Sequence, residues 1–281
     1  MNTFQSSLKG KAGILTGGTS GFGLAMVKAL LAQGANLMVF SADDLTREAR
    51  SELAAVAKTD YEYRHQDVTA HGAAEAMVEQ TVQRFSQVDF VIANAGFAIR
   101  FEESLLALPL DKLTEAMRTQ FAVFPIALAQ LALAAARVMA PRYASVPADT
   151  NGHRPDSGAI VVTLSETSLC PLRDDLLAYA AAKRACLSVL ESLAATLGPK
   201  NIRVNGIAPG FANTAGPRQF YDRFPGIKAD IEEHTHLQPS FIDPGAVVPA
   251  LLYLLTDNYV TGQTITLDGG YHIELKRYFQ T

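Results

Sequence analysis

Ala12-Gly13-Ile14-Leu15-Thr16-Gly17-Gly18-Thr19-Ser20-Gly21-Phe22-Gly23 is the stretch on which the fold of this chain turns. Ala12–Thr16 is a short apolar run, the glycines follow at once, and a helical pattern continues over 24–33. Glycines between a strand and a helix let the backbone turn tightly, because no Cβ stands in the way. They also let a pyrophosphate approach the amides at the helix N-terminus, where the helix dipole is positive. Gly34 closes the helix and Asn36–Ser41 supplies a second strand, completing a βαβ unit of the length expected for dinucleotide binding.

The alternation continues along the chain. A helix is expected over 45–58, then a strand over 61–66 followed by Asp67-Val68-Thr69. Ala73–Phe85 reads as a helix, and 88–93 as a strand running into Asn94-Ala95-Gly96. Residues 110–140 form a long helical region with a break near Pro125. Residues 141–157, with three prolines and Asn151-Gly152, read as an inserted surface loop. A strand over 159–164, a helix over 176–197 stopped by Gly198-Pro199, and a strand over 202–208 ending in Pro209-Gly210 come next. Residues 211–241 are irregular and rich in Pro, Gly and aromatics. Asp243-Pro244 starts a helix over 247–255, and Thr264–Leu267 is the last strand, ending at Asp268-Gly269-Gly270.

Seven strands alternating with helices, without repeats or a long linker, imply a single α/β domain over 1–281 with an N-terminal tail at 1–10. Its core is a doubly wound, seven-stranded parallel sheet with helices on both faces. Such sheets bind ligands at the carboxyl ends of their strands. Residues 16–23, Asp67, 94–96, Ser165 and 209–214 each follow an expected strand, so they converge on one rim.

Composition narrows the class. Of the 281 residues, 48% are hydrophobic, enough for a large core, and the net charge of −4 comes without any Lys/Arg run. The footprint of a nucleic-acid binder is missing. Cys170 and Cys186 make neither a disulfide framework nor a metal spacing, which suits a reducing cytoplasm. The start of the chain lacks the apolar stretch of a signal peptide. Residues 121–140 are long and apolar enough to mimic a membrane span. Their Pro125, Gln130 and Arg137, and the regular alternation around them, favour a buried helix and no membrane role.

On the helix over 176–197, Tyr179-Ala-Ala-Ala-Lys183 puts a phenol and an ammonium on one face, four residues apart. Ordinary values for the two lie near ~10 and ~10.4. A lysine cation alongside is expected to draw the tyrosine downward, toward a pH at which it can shuttle protons.

Taken together, the sequence resembles the short-chain dehydrogenase/reductase family from about Leu8 to Tyr271. The matching motifs are T-G-x-x-x-G-x-G at 16–23, D-V-T at 67–69, N-A-G at 94–96, Y-x-x-x-K at 179–183, P-G at 209–210 with Thr214 beyond, and D-G-G at 268–270. The resemblance implies a Rossmann-type fold and a nicotinamide cofactor, NAD(P)(H). Gly17, Thr19, Ser20, Gly21, Phe22 and Gly23 would take the diphosphate. Ser41, Asp67 and Val68 would lie at the adenosine, Asn94, Ala95 and Gly96 at the ribose, and Pro209, Gly210 and Thr214 at the far end. It implies hydride transfer between the nicotinamide and a carbonyl or secondary alcohol. Tyr179 would act as general acid/base, a serine would hydrogen-bond the substrate oxygen, and Lys183 would bind the nicotinamide ribose while biasing the tyrosine.

Two places depart from the family. Thirteen residues before the tyrosine, where most relatives have the serine, stands Glu166. Counted from the strand 158–165, the serine is Ser165; Ser168 is the fallback, and a Glu166 that has replaced the hydroxyl is the bland reading. The helical asparagine that relatives use to hold a relay water falls on Thr119 or Gln120, either of which can bind water. Cofactor choice rests on charge. Ser41 at the strand end is neutral, Asp43 and Asp44 would repel a 2′-phosphate, Ser20 stands where a basic residue would sit, and Arg47 is the one nearby cation, which favours NAD(H).

Other features stay open at this level. His234 and His236 lack acidic or cysteine partners at helical spacing, so no metal is expected. Phe211, Phe220, Tyr221 and Phe224 fall in 211–241, which relatives use as a substrate lid, and either wall a pocket or pack the loop. Phe97 is a further wall candidate. Arg173, Asp174 and Asp175 follow the serine loop and could reach substrate. The helices over 121–140 and 176–197 match those through which relatives build a homodimer or homotetramer. The partner expected is a small-molecule carbonyl or alcohol. The competing readings are a nucleotide-binding or scaffolding protein that has lost turnover and, more remote, an epimerase or dehydratase.

Overall fold

The computed structural model describes residues 8–145, 147, 156–170 and 174–273. Its centre is an all-parallel sheet of seven strands in the order β3-β2-β1-β4-β5-β6-β7. The strands are β1 Ala12–Thr16, β2 Asn36–Ser41, β3 Tyr61–His65, β4 Phe90–Ala93, β5 Gly158–Thr163, β6 Ile202–Pro209 and β7 Thr264–Leu267. Successive side chains of a strand point to opposite faces. Ile14, Ile160 and Val162 therefore join one core, while Leu15, Ala159 and Val161 join the other. Both faces are apolar, as a sheet covered on both sides requires.

Three helices supply most of the first face: α3 Ala73–Phe85, α5 Ala127–Ser145 and α6 Leu177–Leu197, through Met77, Leu131, Met139 and Leu190. The second face takes α1 Gly21–Ala32, α2 Arg47–Val56 and α9 Val248–Thr256, through Met26, Leu30, Leu53 and Leu251. Strand order reverses between β1 and β4, and a crevice opens there at the carboxyl ends. α4 Leu110–Phe121, α7 Ala215–Arg223 and α8 Pro225–His234 lie outside these two layers.

Several expectations need correction. The region over 110–140 does not break at Pro125. A π-helical turn, Ala122–Ile126, joins α4 to α5, and the wider turn accommodates a proline that has no N–H to give. The surface loop expected from 141 begins later, because α5 runs through Pro141 to Ser145. Arg142 holds that last turn by an ion pair to Asp89 at 2.6 Å and a hydrogen bond to the Val88 carbonyl. The rest of the expected insertion, 146 and 148–155, lies outside the described residues, as do 1–7 of the expected tail. The segment 211–241 is not irregular throughout: it holds α7 and α8. Pro217 and Pro225 sit in the first turns of these helices, where a missing N–H costs little. The stretch Leu110–Ser145 is long and apolar enough to cross a membrane. Here Leu128, Leu131, Ala135 and Met139 of α5 are buried in the first core.

Arg203 shows how the second layer is pinned. Its guanidinium, 4% exposed, donates to the carbonyls of Leu254 at 2.6 Å and Leu255 at 3.1 Å, and to Asp156 at 3.0 Å. Those carbonyls belong to the last turn of α9, which has no intrahelical donors for them. Replacing Arg203 by Met is expected to lower unfolding free energy by about 3 kcal/mol, because buried acceptors lose a charged donor. A urea melt with an unchanged midpoint would refute this.

Candidate active site

The residues expected at the cofactor and at the chemistry come together. Gly17, Thr19, Ser20, Gly21, Phe22, Gly23, Ser41, Asp67, Val68, Asn94, Ala95, Gly96, Ser165, Tyr179, Lys183, Pro209, Gly210 and Thr214 all line one cleft of about 400 Å³. The glycine loop forms one end. A Cβ on Gly23 would stand 1.9 Å from the Gly17 carbonyl oxygen, so the turn closes only on glycine. Ser20 caps α1 without a side-chain hydrogen bond, and the first-turn amides have no acceptor within the helix. Backbone donors at a positive helix end, in a loop with no Cβ at Gly23, fit a diphosphate.

Beyond the loop, the Ser41 hydroxyl accepts from the Asp43 amide at 3.2 Å and lies 3.3 Å from the Thr19 hydroxyl. Asp43 also lines the cleft, whereas Arg47, the first residue of α2, does not. Asp67 accepts from the amide and hydroxyl of Thr69, both at 2.8 Å, which fixes the turn after β3. Asn94 braces three strand ends. Its amide donates to the carbonyls of Thr16 at 3.2 Å and Gly17 at 2.9 Å, and its carbonyl accepts from the Thr163 hydroxyl at 3.0 Å.

At the other end, β5 delivers Ser165 and α6 delivers Tyr179 and Lys183. Ser165 lines the cleft beside Tyr179, whose ionised form it favours. It also donates to the Glu166 carboxylate at 2.5 Å and accepts from the Thr167 amide at 3.4 Å. Glu166 adjoins the serine, and of the two it is Ser165 that lines the cleft. Ser168 is fully buried and caps the turn by accepting from the Ser165 amide at 3.2 Å. The Lys183 ammonium, 4% exposed, donates to the Thr163 carbonyl at 2.6 Å and rests 4.1 Å from the centre of the Phe124 ring. Phe124 in turn meets Tyr179 edge-on at 5.5 Å, and its ring fills the space that a Cβ on Gly96 would need.

The electrostatics overturn the simple reading of the Tyr179–Lys183 pair. Tyr179 is raised above the ordinary tyrosine value, first by burial and then by the Glu166 carboxylate; the Ser165 hydrogen bond and Arg100 oppose this. Lys183 is pushed down to about 8 by burial, and Cys186 beside it up to about 11 for the same reason. The ammonium lies 5.8 Å from the phenol ring. Desolvation outweighs the attraction that the four-residue spacing suggests.

Neither candidate for the relay asparagine hydrogen-bonds Lys183 directly. Gln120 is fully buried and bridges the Phe97 carbonyl at 3.1 Å and the Ile99 amide at 3.5 Å. Thr119 lines a separate shallow groove with Ile99, Phe101 and Lys112. His234 turns back on its own helix toward Asp230 at 2.8 Å. Among the described residues no three His, Cys, Asp or Glu gather as a metal cluster. Phe211 and Tyr221 pack with Tyr271 in a small core of their own, while Phe97 stands exposed at the cleft mouth. Arg100 pairs with Asp175 at 2.6 Å and lies 4.0 Å from the Phe220 ring centre. Arg173 lies outside the described residues. Sequence reasoning missed Arg100, Phe124 and the Thr163 carbonyl as parts of the site. The apolar run containing Phe124 gave a core signal, and a backbone carbonyl leaves none.

A parallel doubly wound sheet with a dinucleotide loop and a tyrosine–lysine helix on one rim defines a class of nucleotide-dependent redox enzymes. Comparison with known proteins agrees. A family profile described as enoyl-(acyl carrier protein) reductase matches residues 17–272. A relative from Melia azedarach, (21S)-21-acetoxyl-apo-melianone synthase SDR, is 30% identical over 97% of this chain and 95% of its own length. (+)-Borneol dehydrogenase 1 of Salvia officinalis is 29% identical over 95% of each. The crystal structure of NADPH-dependent 3-quinuclidinone reductase from Rhodotorula rubra superposes with a TM-score of 0.80 at 25% identity, covering 96% of this chain and 95% of that one. The chain belongs to the short-chain dehydrogenase/reductase family and is an oxidoreductase.

The buried ammonium has a measurable cost. Lys183 titrates near 8 in the folded chain against an ordinary 10.5. Between those pH values the unfolded chain binds the proton that the folded chain has lost, so stability rises with pH there; below 8 the penalty is complete. Lys183→Met is expected to stabilise the cofactor-free protein at pH 7 by about 2 kcal/mol, after allowance for the lost Thr163 hydrogen bond. The gain should vanish toward pH 10.5 in thermal melts. Equal destabilisation at every pH would contradict it.

Proposed function

We propose that the protein is an NAD(H)-dependent oxidoreductase acting on a secondary alcohol or the corresponding carbonyl of a small molecule, with Tyr179 exchanging the hydroxyl proton. The observation that carries this reading is the Tyr179 side chain, which lines one cleft with Ser165, Lys183 and the glycine loop. Residues 17–23 would hold the diphosphate, Ser41 and Asp43 the adenosine ribose, and Lys183 the nicotinamide ribose. When bound, the nicotinamide supplies hydride acceptance or donation; the chain's own groups position the oxygen and handle its proton. A donor poised where alkoxide charge develops is the main requirement of such a step.

Preference for NAD(H) rests on charge. Among the described residues lining the cleft, the only cation is Lys183, and Asp43 lies beside Ser41. A 2′-phosphate there would meet a carboxylate and no counter-charge. The Rhodotorula structure is named for NADPH, so relatives differ in this respect or this chain follows it. We place the protein in the cytoplasm as a homodimer or homotetramer. The half-exposed apolar side chains Ile126 and Leu133 on the 122–145 helical segment agree with association through that surface.

Two outcomes check the reading. Tyr179→Phe should leave NAD(H) affinity within a few-fold of wild type and cut turnover about 100- to 10,000-fold; a fully active variant would sink it. NADH should bind several-fold more tightly than NADPH in fluorescence titrations, and the reverse order would remove the assignment of cofactor.

A further inference from the structure

Two carboxylates follow β2, and the fold places them differently. Asp43 lines the cleft, and Asp44 does not. Residues 42–44 form an exposed turn between two buried anchors, Ser41 at 4% exposure and Leu45 at 5%. Exposed turns move readily unless side chains tie them down. The near end of this one is tied by Ser41. Its hydroxyl accepts from the Asp43 amide and stands 3.3 Å from the Thr19 hydroxyl of the glycine loop.

The outer side is tied by Tyr63, from the middle of β3. The Tyr63 hydroxyl donates to the Asp43 carbonyl at 2.7 Å, and the Asp44 carboxylate lies 3.4 Å from the same hydroxyl. A phenol has one proton to give, and the shorter contact takes it. Tyr63 is itself well held. It stands in register with Val39 of β2, and its ring packs against the second core. The Arg50 guanidinium of α2 lies over that ring at 5.8 Å. Tyr63 does not line the cleft, so it can act on a nucleotide only through the turn. Its bond fixes the peptide that joins Asp43 to Asp44, and the set of that peptide decides which carboxylate meets the cleft.

We propose that Tyr63 is a positioning residue for cofactor choice, holding the 42–44 turn so that Asp43 rather than Asp44 faces the adenosine ribose. The proposal rests on the reading of the cleft as an NAD(H) site. A ribose with free 2′- and 3′-hydroxyls donates to a carboxylate placed there, whereas a 2′-phosphate is repelled by it. Releasing the turn from Tyr63 removes both effects together, weakening NADH and relaxing the exclusion of NADPH. A general loss of packing would weaken the two cofactors alike, so the ratio of their affinities separates positioning from support of the fold.

Tyr63→Phe removes the hydroxyl and keeps the ring, its packing and the Arg50 contact. In fluorescence titrations its NADH affinity should fall about 5-fold, with NADPH affinity unchanged or higher. The thermal midpoint of the cofactor-free protein should stay close to wild type. With the first secondary alcohol turned over in a screen, KM for NAD⁺ should rise by a similar factor while kcat holds, because the nicotinamide end is untouched. In an Asp43→Asn background the same change should cost NADH nothing further. An unchanged NADH/NADPH affinity ratio in Tyr63→Phe would overturn the proposal. So would equal losses for the two cofactors, or losses that add in full in the double variant. A wild-type protein that binds NADPH more tightly would instead overturn the NAD(H) reading, and the proposal with it.

Discussion

The side chain of Asn94 is the tie on which this site depends. One amide group joins the carboxyl ends of β1, β4 and β5 by donating to Thr16 and Gly17 and accepting from Thr163. Thr16 returns the contact, its hydroxyl accepting from the amides of Asn94 and Ala95 at 3.1 Å. These are the strands flanking the point where sheet order reverses. Neighbouring crossovers leave that point in opposite directions, so a crevice opens there by topology. Topology alone would leave the strand ends free to splay. The asparagine fixes the glycine loop relative to the strand that carries Ser165, and so fixes the nucleotide's place relative to the chemistry.

The same knot governs the electrostatics. Thr163 gives its hydroxyl to Asn94 and its carbonyl to Lys183. The ammonium is therefore tethered to the braced strand, beside an apolar space lined by Phe124, Leu128, Leu131 and Cys186. In such surroundings the charged form is costly, and one carbonyl with one aromatic face offsets only part of the loss of water. Burial thus acts on lysine and tyrosine alike, each shifted toward its neutral form. A helix drawn from sequence shows two residues on one face. It does not show how dry that face is, and dryness decides the sign of the shift.

What was legible in the sequence follows from this distinction. Strands β1, β2 and β7 and helix α3 start and stop where periodicity and punctuation place them, because alternation and turn chemistry are local properties. The glycine loop and Asn94 were legible through their places at strand ends, and Tyr179 and Lys183 through their helical spacing. Ser165 emerged because strand register, not distance from the tyrosine, determines where a side chain faces. The misreadings share one physical cause. Pro141, Pro217 and Pro225 punctuate a sequence strongly, yet Pro141 lies in a helix held by Arg142 and the other two lie in first turns. Arg100 and Phe124 were invisible as site residues because nothing local distinguishes them from any surface arginine or core phenylalanine. Only the packing of the 98–101 loop and the π-helical turn against α6 brings them to Tyr179.

A buried cation and a raised tyrosine within one cleft are hard to reconcile with a chain that merely binds nucleotide. Diphosphate recognition needs the loop, the helix N-terminus and a neutral ribose contact, none of which requires Glu166 to be buried or Lys183 to sit in an apolar wall. Folded proteins place such costly groups where function demands them, and settle them elsewhere by exposure or pairing. In this chain the ion pairs of Lys28 with Glu52 and of Lys112 with Glu103 are exposed and inexpensive. The buried ammonium of Lys183 instead lies beside Tyr179, at 4% exposure. A nucleotide-binding scaffold would be more stable with an apolar residue in place of Lys183, so the buried ammonium accords with an oxidoreductase rather than a scaffold.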